Sequence, residues 1–357
     1  MLSTALPAQA PADTTVKVTL GGFVDGYYAW DVGRPASLDR SFAGGALFTT
    51  QPARHNEFNV NLAFLELKLD GAAVRGRLAL QTGTSVQSNY AGEPARGTVS
   101  GPQLSRFVQE AVVGVKVAKN MWVDGGIFFS HMGVEGWISR DNPSYSRSLV
   151  SDYSPYYQSG VKLTWTPTSA LTAQLDVVNG WQNISENNSG KGVGTRLDWT
   201  PRDGMTLSYY NFFSDEAGSQ LRSFNGVDAK IARGAWTVVG EADVGSQSHR
   251  GSASSDWYGL MALVRRQVSP HTALIARVER FVDDDQVVIA TGMVGTTPNP
   301  PFHGNGASFG VDVSPAPRVL WRTEVRGFHN QQAVFPDGTG APRRSGGFAV
   351  TSLAVTF

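Results

Sequence analysis

The chain has 357 residues, 41% of them apolar, with 30 Lys and Arg against 30 Asp and Glu and no Cys. Zero net charge and a pI near 7.0 exclude a basic field for nucleic acid, and the missing Cys exclude disulfides, thiolate metal sites and a Cys nucleophile. The longest apolar runs, such as 261–264 and 287–290, fall far short of the ~20 residues a membrane helix needs.

The start reads MLSTALPAQA, and Ala8-Gln9-Ala10 has the small-x-small form of a signal cleavage site. Residues 1–13 are therefore expected to be a signal-peptide remnant or a disordered N-terminus, and 14–357 a single folded domain. Beyond them, alternation with period 2 recurs down the chain, as strands require. Val74, Leu78 and Leu80 oppose Arg75, Arg77 and Gln81. Trp236, Val238, Ala242 and Val244 oppose Glu241 and Asp243; Leu274, Ala276 and Val278 oppose Arg277 and Glu279. Val319, Trp321, Thr323 and Val325 oppose Arg322, Glu324 and Arg326. No capped helical period runs beyond about 12 residues, the length at which an isolated helix becomes stable.

The connections alternate. Short Gly-, Pro-, Asn- and Ser-bearing turns fall near 70–71, 118–120, 167–169, 201–204, 233–234, 269–271 and 314–317. Longer stretches lie at 32–55, 87–105, 132–154, 181–191, 214–223, 247–255, 283–304 and 330–345. Seven turns and eight loops predict sixteen strands. These are placed at 17–30, 57–70, 73–86, 106–118, 121–131, 155–166, 170–180, 192–200, 204–213, 224–233, 235–246, 256–268, 272–282, 305–314, 317–329 and 346–357. In 57–70 the apolar phase flips at Phe64-Leu65, where a β-bulge is expected. The strand at 257–266 is apolar on both faces, so its facing stays open.

Short turns at one end and long loops at the other suit a barrel in lipid. Trp122, Trp165, Trp199, Trp236 and Trp321 lie near short turns, and Trp30, Trp181 and Trp257 near loops. Two aromatic girdles are expected from that distribution. The charged strand faces then line a watery lumen. Thr351, Leu353, Val355 and Phe357 alternate up to a terminal aromatic. The expected fold is all-β: a transmembrane antiparallel up-and-down β-barrel of about 16 strands, with short periplasmic turns and long extracellular loops. A soluble secreted propeller or lectin is the distant rival, and no blade repeat supports it.

Three segments carry a family resemblance. They are Gly22 to Asp31 (GFVDGYYAWD), Arg54 to Glu66 (RHNEFNVNLAFLE), and Asp141 to Ser148 with Ser154 to Lys162 (DNPSYSRS and SPYYQSGVK). Through them the chain resembles the β-barrel porins described as OmpL-like, within the wider bacterial porins. The resemblance implies passive passage of small hydrophilic solutes across a bacterial outer membrane. It also implies outer-membrane lipid and lipopolysaccharide as surroundings, and a homotrimer. In porins of this size the third loop commonly folds inward, so 132–154 is expected to constrict the pore through Glu135, Arg140, Asp141, Arg147 and Asp152.

Parity assigns Arg75, Arg77, Glu110, Lys162, Arg196, Glu241, Asp243, Arg277, Glu279, Arg322, Glu324 and Arg326 to the pore lining. Across all strands the inward charges nearly balance, so weak ion selectivity is expected. No catalytic residues, cofactor or metal are expected. His131 and Glu135 are four apart, but at a strand end rather than on a helix, and no G-x-S-x-G elbow follows a strand. A barrel plugged by its loops, structural or adhesive, is the alternative.

Overall fold

The computed structural model describes residues 15–216 and 220–357; the expected signal remnant, 1–13, lies outside the described residues. Sixteen strands close into a barrel. They are β1 (Val16–Asp31), β2 (Phe58–Gly71), β3 (Val74–Thr82), β4 (Val108–Ala118), β5 (Met121–Phe129), β6 (Tyr157–Thr168), β7 (Leu171–Val178) and β8 (Gly192–Arg202). Then follow β9 (Met205–Glu216), β10 (Gln220–Arg233), β11 (Trp236–His249), β12 (Ser252–Ser269) and β13 (Thr272–Asp283). The small ribbon of β14 (Met293–Val294) and β15 (Thr297–Pro298) lies in the next loop, before β16 (Phe302–Ala316) and β17 (Val319–Asn330). A second ribbon, β18 (Phe335–Pro336) with β19 (Pro342–Arg343), precedes the last strand, β20 (Ser345–Thr356). Each barrel strand pairs antiparallel with its neighbour, and β20 closes onto β1. The seam is pinned at its end: Gly22 and Phe357 exchange backbone bonds of 3.0 and 3.1 Å. The Phe357 ring covers Gly22 so closely that a Cβ there would sit 2.3 Å from it.

All sixteen expected strands are present, with local corrections. The bulge lies earlier than the apolar phase suggested. Asp25 pairs with Leu62 and Gly26 with Val60, so Asn61 is the extra residue. Asn61, Leu62 and Phe64 are thereby turned inward, while Leu65 stays 63% exposed on the outer face. The strand expected to run to residue 86 stops at Thr82. Gly83 adopts φ +138°, and a Cβ there would lie 2.3 Å from the Asn61 carbonyl oxygen, so only glycine fits. The chain then turns into a short inner helix, α1 (Thr84–Asn89), and a second, α2 (Pro102–Ser105), follows in the same loop. The stretch 247–255 is not a long loop: β11 and β12 extend and leave a turn at 250–251. Strands β9 and β10 also extend, to Glu216 and from Gln220.

Most outward Trp gather at the short-turn end. Trp165, Trp199, Trp236 and Trp321 are outward and half-exposed there. Trp122 instead shares the inner face with Asp124 and lies under the Arg75 guanidinium, 4.6 Å from its ring centre. Trp181 and Trp257 meet edge-on inside the barrel, 6.4 Å apart. At the loop end, Trp30 is joined on the outside by Phe58, Tyr209, Phe213 and Tyr258. Proximity to a strand end therefore located these rings, but parity decided which side they face.

Candidate functional site: the barrel interior and its third loop

The segment 130–156 between β5 and β6 folds into the barrel. It carries a 3-10 turn (Ser139–Asp141) and a one-turn helix, α3 (Leu149–Asp152), started by the Ser148 hydroxyl. Its anchors are built from charges that the wall strands project inward. Glu324 accepts from the Ser146 N–H at 2.7 Å and the Ser146 hydroxyl at 2.8 Å. Arg277 donates to the Ser144 hydroxyl at 2.8 Å and the Ser146 carbonyl at 2.6 Å. Glu279 accepts from the Leu149 N–H at 2.7 Å and holds Arg326 through two bonds of 2.8 Å. Arg326 also reaches the Arg147 carbonyl at 2.7 Å. Arg322, paired with Asp312 at 2.9 Å, donates to the carbonyls of Ser139, Asn142 and Ser144. Such charge-assisted bonds are the strong kind.

An apolar seat completes the dock. The facing of β12, open from sequence, is resolved: Trp257, Gly259, Met261 and Leu263 point inward. Leu149 and Val150 pack into the same core as Met261, Leu263 and Ile275. Burying each such side chain contributes about 1.5–3 kcal/mol, an upper estimate. Gly259 leaves the space that Val150 fills, since a Cβ there would lie 2.5 Å from Val150 Cγ1. A Gly259→Ala variant is therefore expected to lose about 1–3 kcal/mol through overpacking, read as a lower unfolding temperature of the folded barrel in detergent.

The five loop charges divide into two groups. Glu135, Arg147 and Asp152 are buried and hold the loop. Glu135 accepts from the Ser148 N–H at 2.7 Å. Arg147 stacks 3.5 Å over the Tyr156 ring and donates to Thr50, which in turn donates to Asp152. Arg140 and Asp141 are the two that reach water, with side chains 40% and 56% exposed. Arg140 also reaches Thr356 on the wall. Burial pushes the Tyr145, Tyr153 and Tyr156 hydroxyls above the usual phenol range, so they stay protonated.

The twelve wall charges all point inward; seven of them are sealed, six against the loop and Asp243 under Tyr210. Glu241, Asp243, Arg277, Glu279, Arg322, Glu324 and Arg326 are at most 5% exposed. Arg75, paired with Asp124, and Arg77, paired with Glu66 and Glu110, stand on the far wall. There Lys162 lies over Phe128, and Arg196 bonds Asp198 at 2.8 Å and Asp228 at 3.1 Å. Glu66 and Lys68 also point inward as an ion pair that the assignment by parity left out. A cavity of about 140 Å³ separates the loop from the end of β5, lined by Phe129, Glu135, Ile138 and Asp141 among others.

Other loops contribute cover that local patterning did not reveal. Phe42 and Phe48 of the first loop and Phe335 of the last pack against Phe302 and Phe328. Glu93 of the second loop accepts from the Ile184 and Ser185 N–H groups of the fourth. His131 and Glu135 do not meet: His131 bonds Asp176 and the Asn211 carbonyl. Among the described residues no cluster of His, Asp and Glu is arranged to hold a metal ion.

Sixteen antiparallel strands, a lipid-facing apolar exterior and a loop docked on inward charges define a bacterial outer-membrane channel. The chain belongs to the family described as "Putative beta-barrel porin-2, OmpL-like", whose model matches residues 17–357. Solved structures agree on the fold. The anion-selective porin from Comamonas acidovorans superposes with a TM-score of 0.61 at 10% identity, covering 96% of this chain and 100% of that one. The outer membrane channel DcaP of Acinetobacter baumannii gives 0.61 at 10%, covering 96% and 97%. Outer-membrane-expressed OmpT of Vibrio cholerae gives 0.60 at 9%, covering 96% and 98%. No curated relative matches the sequence.

Proposed function

We propose that this barrel is a non-enzymatic, water-filled channel for passive diffusion of small hydrophilic solutes, with 132–154 as its constriction. Solutes pass between the loop and the wall around β3. The observation that carries the reading is the docking of the loop against β11 to β17. It leaves Arg75 and Arg77 partly exposed on the opposite wall, while Arg196 donates to the loop carbonyls of His131 and Gly133. The exposed cations opposite the docked loop support a channel over a plugged barrel.

Selectivity is weak, with a small tilt toward anions. The carboxylates Glu241, Asp243, Glu279 and Glu324 are sealed from water, while Lys17, Lys68, Arg75, Lys116 and Lys230 still reach it. Asp70 and Asp198 offset only part of that charge. A ring of accessible cations lowers the barrier for anions. Reversal potentials of single channels under a KCl gradient are expected to show slightly higher permeability for chloride. A preference for potassium, or silence from folded protein, would overturn the reading. The homotrimer is part of the same proposal, and cross-linking in detergent tests it.

A further inference from the structure

The outer wall of β13, β16 and β17 carries an unusual charge. Val278, Phe309 and Val325 are 53–60% exposed toward lipid there. Nearer the loops, Arg280, Asn305 and His329 form a cross-strand row on the same outer face. Arg280 Nε donates to Tyr258 Oη at 3.2 Å, Nη1 to Asn305 Oδ1 at 3.1 Å, and Nη2 to His303 Nε2 at 2.7 Å.

A guanidinium only donates, so His303 Nε2 accepts and the neutral ring carries its proton on Nδ1. That nitrogen lies 3.6 Å from Asp284, which is spent on the histidine rather than on Arg280. Asp256 stands on the same face of β12, two residues beyond Tyr258. Among the described residues no carboxylate forms an ion pair with Arg280, and its three partners are neutral. With three bonds made, two of the five N–H donors of a guanidinium remain to receive an anion.

A cation on a lipid-facing wall is unfavourable unless something at that height offers negative charge. The patch sits at the loop end, where the apolar band stops, so it faces the headgroups of the outer leaflet. We propose that Arg280, with Asn305 and His329, binds a phosphate group of a phosphorylated outer-leaflet glycolipid. Val278 one outer position below, and Phe309 and Val325 two below, give its acyl chains a seat that free phosphate does not need.

The test uses the full barrel refolded in detergent, titrated with bisphosphorylated lipid A and with its dephosphorylated form, with binding counted by native mass spectrometry. Wild type is expected to prefer the bisphosphorylated form, and Arg280→Gln to bind it about fivefold more weakly, as loss of one charge at an anionic surface implies. Arg280→Lys should keep part of the preference and show that the fold survives. Conductance should not change in either variant, which separates this site from the channel reading. Equal binding by Arg280→Gln and wild type overturns the proposal. So does equal binding of the two lipids, or full displacement by inorganic phosphate, which would mark a simple anion site.

Discussion

Removing residues 138–148 is expected to raise single-channel conductance, on the order of twofold, because the wide lumen of a sixteen-strand barrel would lose its internal partition. The excised stretch holds the 3-10 turn, the exposed Arg140 and Asp141, and the Ser144 and Ser146 contacts to Arg277 and Glu324. Arg322 loses its three carbonyl acceptors but keeps Asp312. The freed wall charges then meet water, so the barrel itself should survive. Planar-bilayer recordings of refolded wild type and deletion decide the matter. An unchanged step size in a deletion that still migrates as a folded barrel would remove the constriction from this loop.

The second large effect is on stability. Glu279→Leu should cost about 3–5 kcal/mol, because it strands buried cations. The Glu279 carboxylate is the shared partner of Arg326, through two bonds, and of the Leu149 N–H that begins α3. Arg277 lies 3.8 Å from it as well. With that carboxylate gone, Arg326 and Arg277 share Glu324 and Asp152 nearby, and Glu135 serves Arg277, in a region closed to water. Thermal unfolding in detergent, followed by circular dichroism, measures the loss. The double variant Glu279→Leu/Arg326→Leu should recover much of it, since an apolar pair of similar volume often replaces a buried ion pair without penalty. A double variant less stable than the single one would show that Arg326 is held by something other than this pairing. The single variant should also give noisier conductance, because the loop loses an anchor at its helix.

The part of the candidate site that could be read from sequence is the part that obeys parity. Arg277 and Glu279, or Arg322, Glu324 and Arg326, fall on one face of a single strand, and that face is inward in the barrel. The inward loop was legible as a family expectation. The roles within it were not: Glu135, Arg147 and Asp152 brace the loop, and Arg140 and Asp141 meet water. The signal that could have separated them is weak. The bracing residues lie among Ser and apolar neighbours, whereas Arg140-Asp141 stands in a run followed by Asn142-Pro143.

By itself the sequence determined the strand number, the short-turn end, the closing aromatic strand and the inner row of most strands. Each is local, set by side-chain alternation and turn chemistry over a few residues. Only the tertiary structure decided what covers each inner residue. Glu324 meets Ser146 from a position 178 residues away in the chain, and Arg322 meets Ser139 across 183. The bulge at Asn61 and the inward turn at Gly83 were settled by pairing with β1 and by contact with the β2 backbone. Period 2 states which way a side chain points; whether it finds water, lipid or another loop depends on closure of the whole barrel.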